Sequence, residues 1–168
     1  MSLVLFLACT KTTGEDSGAP PLGGDGDSVA ECNGSDPVLN SVNLENGGVQ
    51  DFEGTPYPTI LVWADTEDAD GNLDVVTMEI WWDESPDGSV DTSGIPSGEK
   101  TWTPREDSAP CQETAETLGL YLQVGGSIPY NTEMDFAVRI TDSEGEVSND
   151  GVATGYSPTE TGDDGGAR

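Results

Sequence analysis

The sequence predicts an all-β protein, a one-domain antiparallel β-sandwich with disordered tails at both ends. Apolar and polar residues alternate with a period of two through most of the middle of the 168-residue chain. Asp-Gly and Glu-Gly pairs, which favour tight turns, separate the alternating stretches. No long stretch places its apolar residues at helical spacing. We therefore expect the sandwich to occupy residues 36–156.

The N-terminal stretch MSLVLFLACTK ends its apolar run with a small residue, Ala8, followed by Cys9. The run is far shorter than the ~20 residues that a membrane span needs. It resembles the lipobox of bacterial lipoproteins, in which the mature chain begins at a lipid-modified cysteine. By that resemblance residues 1–8 are a lipoprotein signal peptide, truncated at its start, and Cys9 carries the lipid. A frayed terminus or a first strand is the alternative.

Residues 9–35 are expected to form a disordered acidic tether behind this cysteine. Residues 10–31 are rich in Gly, Pro, Thr, Ser and acids, and large apolar side chains are almost missing from them. Thr10 follows the cysteine, whereas an aspartate there would resemble the inner-membrane retention signal of enteric bacteria. The predicted location is therefore a lipid-anchored position at the outer membrane or the cell surface. Residues 157–168 have the same composition and are predicted to be a disordered tail.

The strands are clearest where even-numbered apolar side chains share one face. This pattern runs through VVTMEIWWD at residues 75–83, LGLYLQV at residues 118–124 and EMDFAVRIT at residues 133–141. Each of these stretches is expected to be a half-buried strand. Further strands are expected at Val38–Leu44, Thr59–Ala64, Lys100–Pro104 and Glu146–Thr154.

The three cysteines, an odd number for an exported chain, leave one pair if Cys9 carries lipid. That pair, Cys32 and Cys111, is predicted to form a disulfide. The bridge would close a long loop and would add about 4–5 kcal/mol in the chain-entropy treatment. Two buried free thiols are the alternative.

The charge of the chain excludes several classes of function. It carries 33 acidic residues against 5 basic ones, a formal net charge of −28, which repels nucleic acid and anionic membrane surfaces. It contains no histidine, so a Ser-His-Asp triad and a histidine-bound zinc site are both excluded. The remaining partners are a membrane, through the lipid anchor, and an unidentified protein or glycan.

Two acidic turns make the resemblance to a family more specific. DADGNL leads into a long strand, and FAVRITDSEGEVSN combines a strand, an acidic glycine-containing turn and a last strand. Together they resemble the bacterial immunoglobulin-like domains of the PKD and cadherin-like kind. The resemblance covers roughly residues 36–155 and implies an immunoglobulin-like sandwich.

The acidic stretch DTEDADGNLD, residues 65–74, is a candidate half of a calcium site. It is not an EF-hand, because setting Gly71 at the sixth position puts Thr66 and Thr77 where the first and last carboxylates belong. In an immunoglobulin-like sandwich, however, the B–C and F–G loops lie at the same end. Two solvated charged turns are the alternative. The candidate oxygen ligands for Ca²⁺ are Asp68, Asp70, Asn72, Asp142 and Glu144.

Trp81 and Trp82 are adjacent on a strand, so their rings must point to opposite faces. An exposed Trp81, with Trp63 or Trp102 nearby, could stack on a sugar ring. The sequence thus favours a non-catalytic, membrane-tethered module for adhesion, binding or structure. A carbohydrate-binding module is the alternative, and a hydrolase that uses paired carboxylates is a weaker one.

Overall fold

The structure, a computed structural model, describes residues 34–102, 111 and 114–164, and it is all-β. These residues contain seven strands and no helix, so no described helix is long and apolar enough to span a membrane. Cys9, Cys32 and the predicted signal peptide lie outside the described residues, as does all but the end of the predicted tether. The strands are β1 (Val38–Phe52), β2 (Thr55–Glu67), β3 (Val76–Asp83), β4 (Gly98–Trp102), β5 (Ala115–Gln123), β6 (Glu133–Thr141) and β7 (Gly151–Tyr156).

The strands form two packed antiparallel sheets, and the predicted sandwich is thereby confirmed. One sheet has the order β1-β2-β5 and the other has the order β4-β3-β6-β7. This order places the β2–β3 and β6–β7 connections at the same end of the molecule.

The core is made by the inward residues of the two sheets. Met78 and Ile80 on β3 and Phe136 on β6 are fully buried, as the alternation predicted. The outward residue Asp135 is also buried, because residues 84–97, between β3 and β4, lie over this part of the sheet. The Gly88 N–H donates to Asp135 Oδ2 at 2.6 Å and thereby holds this covering segment in place.

The β1–β2 hairpin is much longer than the sequence predicted. β1 continues for eight residues beyond Leu44 to a turn at Glu53 and Gly54, whose φ angles are 54° and 86°. Positive φ at both central residues is the geometry of a type I′ turn, which matches the twist of the two strands. The added half is rich in Gly, Asn and acids, so it carries no alternating apolar signal.

Both limits of the folded part lie outside the predicted 36–156. Ser35 is already hydrogen-bonded to Asp70. At the other end Ser157 is fully buried, and its hydroxyl donates to Pro129 O at 2.7 Å. The chain then turns back so that Gly162 O accepts from Asn46 Nδ2 at 3.0 Å. The predicted tail therefore starts too early, and residues 157–164 pack against the sandwich.

Candidate functional site

Two loops meet at one end of the sandwich, as the strand order requires. Residues 68–75 connect β2 to β3, and residues 142–150 connect β6 to β7. β3 and β6 are neighbours with Thr77 paired to Thr141, so the loops emerge side by side. The Ser143 N–H donates to Asn72 O at 3.2 Å and joins them directly.

Asp68 begins the first loop directly after β2. Its N–H donates to Thr114 O at 3.0 Å, and its Oδ1 accepts from the Asp70 N–H at 2.6 Å in an Asx turn. Gly71 completes the turn with a φ of 77°, which favours glycine. The second carboxylate oxygen, Oδ2, is buried and has no hydrogen-bond partner. Only 2% of the Asp68 surface is exposed.

Asp142 begins the second loop and repeats the arrangement. Its Oδ1 accepts from the N–H groups of Glu144 and Glu146, both at 2.9 Å. Its main-chain oxygen accepts from Gly145, whose φ is 90°. Its Oδ2 is buried and without a partner, and 6% of the residue is exposed. Each aspartate thus uses one oxygen to shape its loop and leaves the other unpaired.

Asn72 lies in the first loop and is fully buried. Neither Oδ1 nor Nδ2 of its side chain has a hydrogen-bond partner, although both atoms are buried. A buried polar atom without a partner costs about 1–3 kcal/mol, and a charged one costs more. With the two Oδ2 atoms of Asp68 and Asp142, the two loops therefore hold four buried, unpaired polar atoms. We call Asp68, Asn72 and Asp142 the unpaired trio.

The side chains of the other two predicted ligands are not among the buried polar atoms without partners. Asp70 Oδ2 accepts from the N–H and the hydroxyl of Ser35, at 2.5 and 2.7 Å, so this carboxylate holds the incoming chain. Glu144 is exposed. In the described part of the chain, no group of three or more Asp, Glu, Cys or His side chains could hold a metal ion. Two carboxylates and an amide remain as candidate ligands.

The surroundings of the unpaired trio are strongly negative. A hydrogen bond with Asp36 and then the charge of Asp36 raise the pKa of Glu146, and desolvation and the charges of Asp142 and Glu144 add to the effect. A carboxyl whose pKa is raised in this way reports negative charge around it. This end of the sandwich would therefore attract a cation.

Trp81 is not the exposed ring that the sequence predicted. Only 4% of it is exposed, and its Nε1 donates to Gly94 O at 3.1 Å. The Arg139 guanidinium lies 4.9 Å from the ring centre and is held there by Asp150 at 2.8 Å. Residues 84–97 cover this sheet face, so Trp81 cannot stack on a sugar ring.

Cys111 is described, with a φ of 62°. The other two cysteines of the chain, Cys9 and Cys32, both lie outside the described residues, so the pairing of Cys32 with Cys111 stays a prediction.

Sequence reasoning did not single out Trp63, which lies on the outer face of the β1-β2-β5 sheet. The signal was present in β2, where the half-buried Trp63 and Asp65 alternate with the fully buried Val62 and Ala64.

No family profile matches the chain, and comparisons with curated proteins and with solved structures likewise found no match.

Proposed function

We propose that this chain is a non-catalytic module tethered to the cell surface, and that the unpaired trio at its loop end binds a calcium ion. The observation that carries the proposal is the set of four buried polar atoms without partners. Folded proteins satisfy the great majority of such atoms, so a group of four in two touching loops calls for a ligand.

Calcium fits the chemistry of the trio better than other metals. The trio offers two carboxylate oxygens and one amide oxygen, which are hard ligands of the kind that Ca²⁺ selects. Ca²⁺ takes 6–8 oxygen ligands in flexible geometry and accepts main-chain carbonyls and water for the rest. Zinc and copper favour histidine and cysteine ligands, which the two loops lack.

A location at the cell surface agrees with the weak calcium binding that we expect of this trio. Sites with few charged ligands bind Ca²⁺ weakly, and extracellular modules typically work with dissociation constants of about 0.1–1 mM. The predicted lipid at Cys9 would hold the module outside the cell, where calcium reaches such concentrations. Its role would be binding, adhesion or structural support.

The calcium proposal is tested by thermal unfolding with Ca²⁺, with Mg²⁺ at matched ionic strength, and with chelator. At a hundredfold excess over the dissociation constant, Ca²⁺ should stabilise the native state by about 2.7 kcal/mol. Asp68→Asn keeps the Oδ1 acceptor but removes the unpaired carboxylate oxygen, so this variant should lose most of the gain. Asp70→Asn is the matched control, because it changes the same charge in the same loop outside the trio.

Equal stabilisation by both ions would mean that calcium only screens the net charge. If the Asp68 and Asp70 variants lost equal parts of the stabilisation by calcium, the trio would not be the site.

The surface location is tested separately in a bacterial host that processes lipoproteins. A chain with a complete signal peptide should incorporate labelled palmitate and sediment with the membranes, and Cys9→Ser should do neither. Unchanged labelling and sedimentation of the variant would refute the lipid anchor and leave the calcium proposal untouched.

A further inference from the structure

The outer face of the β1-β2-β5 sheet forms a regular patch of nine residues with Trp63 at its centre. Antiparallel pairing places one residue of each strand in every row across the sheet. Neighbours within and between such rows are close enough for side chains to share a ligand. The three rows are Ser41–Asp65–Thr117, Asn43–Trp63–Gly119 and Glu45–Leu61–Tyr121.

The Trp63 ring lies flat on the sheet over Gly119. A Cβ on Gly119 would lie 2.6, 2.9 and 3.1 Å from Cζ3, Cε3 and Cη2 of the ring. These nearly equal distances place the Cβ position above the ring face, since an approach in the ring plane would give larger differences. Glycine is therefore needed at this position, and the other face of the indole points away from the sheet.

Two of the other three tryptophans have a cation against the indole, and the third, Trp82, lies with its ring centre 6.3 Å from that of Phe136. Arg139 lies over Trp81 at 4.9 Å, and Lys100 Nζ lies over Trp102 at 4.8 Å. Both described cations of the chain are thus used in cation–π contacts. Among the described residues, no cation and no second aromatic ring lies against Trp63.

Two carboxylates flank the outer face of this half-buried ring. Asp65 accepts hydrogen bonds from the hydroxyls of Ser41 and Thr117, at 2.7 and 2.9 Å, and these bonds lower its pKa and keep it charged. Glu45 is exposed in the row on the other side of Trp63. An open cavity of about 410 Å³ is lined by Asn43, Leu44, Glu45, Trp63, Asp65 and Thr117.

We propose that Trp63, Glu45 and Asp65 bind the cationic side chain of a lysine or arginine on an extended segment of a partner protein. The indole face attracts a cation through its ring quadrupole, and the two carboxylates supply charge complementarity. Asn43 and Thr117 can hydrogen-bond a guanidinium or an adjacent peptide group. A neutral sugar could also stack on the ring, but it would gain nothing from two flanking charges or from the net charge of −28.

The test is an NMR titration of the folded chain in physiological salt with an acetylated, amidated peptide that holds one arginine between glycines. The same peptide with citrulline, which keeps the shape of arginine without its charge, is the matched control. The Trp63 indole N–H signal should shift with the arginine peptide and stay in place with the citrulline peptide.

Two variants locate the binding. Trp63→Leu should lower the affinity for the arginine peptide by about two- to fivefold, the range of an exposed cation–π contact. Glu45→Gln leaves the packing intact and should also weaken it, whereas Glu53→Gln, at the exposed hairpin turn, should have a much smaller effect. Calcium and chelator are compared throughout, because this patch is separate from the unpaired trio and should bind in both.

Three results would overturn the proposal. Equal binding of the citrulline peptide would remove the role of charge. Equal losses of affinity for the arginine peptide in the Glu45 and Glu53 variants would show only a nonspecific attraction of the peptide to an acidic protein. A shift of the Trp63 signal by neutral oligosaccharides, with none by the arginine peptide, would identify the patch as a sugar site.

Discussion

Replacing Asp142 by asparagine should change the stability of the fold in opposite directions with and without calcium. The substitution keeps Oδ1, which accepts the N–H groups of Glu144 and Glu146, and it removes the charge of the unpaired Oδ2. In chelator, the loss of an unpaired buried charge should stabilise the fold by about 1 kcal/mol. In saturating calcium the variant should lack most of the ~2.7 kcal/mol that the ion adds to the wild type.

The expected crossover is large enough to measure. For a domain of this size 1 kcal/mol moves the melting temperature by roughly 4 °C. Asp142→Asn should therefore melt about 4 °C above the wild type in chelator and several degrees below it in calcium. Differential scanning calorimetry or tryptophan fluorescence would follow both transitions.

Asp142→Ala is the companion variant. It removes the Oδ1 acceptor as well, so it should be less stable than Asp142→Asn under both conditions, by about 1–3 kcal/mol. An Asp142→Asn variant that lost the same stability with and without calcium would refute the reasoning, because Oδ2 would then have a partner in the free protein.

Three further predictions concern other parts of the fold. Gly119→Ala should destabilise by about 1–3 kcal/mol in urea unfolding, because the Trp63 ring must lift from the sheet; unchanged stability would contradict the flat ring. Asp135→Ala should cost about 1–3 kcal/mol, since it removes the buried carboxylate that accepts from the Gly88 N–H and the Thr154 hydroxyl; a loss below about 0.5 kcal/mol, the lower end for a single hydrogen bond, would mean that the covering segment is not held there. Asp36→Asn should return the pKa of Glu146 toward its ordinary value. Because the raised pKa favours folding only as the pH falls through it, the variant should gain stability at pH 7 and lose that advantage in acid. Carboxyl NMR titration and urea midpoints would check this, and a Glu146 pKa that stays raised would contradict it.

Much of the fold could be predicted because one face of most strands is buried. β3, β5 and β6 alternate in sequence and lie within a few residues of their predicted positions. The second half of β1 could not be found, since it pairs with β2 through its main chain and has no apolar face to mark it. For the same reason the packing of residues 157–164 could not be predicted, since their polar composition is typical of a tail although Ser157 is fully buried.

The candidate site was predicted only as far as topology determines it. Strand order alone brought Asp68, Asn72 and Asp142 to one end of the sandwich. Strand order could not show that the Asp70 carboxylate accepts a hydrogen bond from Ser35, because Ser35 belongs to a segment that was expected to be a tether. For Trp81, alternation gives two opposite faces but does not say which one a later segment will cover.

The bonds between Ser35 and Asp70 also determine the end of the module at which an anchor would be attached. Asn149, in the second loop, exchanges two further hydrogen bonds with the backbone of Leu39, so the chain enters the sandwich firmly at its acidic end. An anchor at Cys9 would therefore join the sandwich at its acidic end, opposite the β1–β2 turn. Because the predicted tether is flexible, the module would stay free to turn about this attachment point, and calcium bound at the acidic end would lie close to the tether.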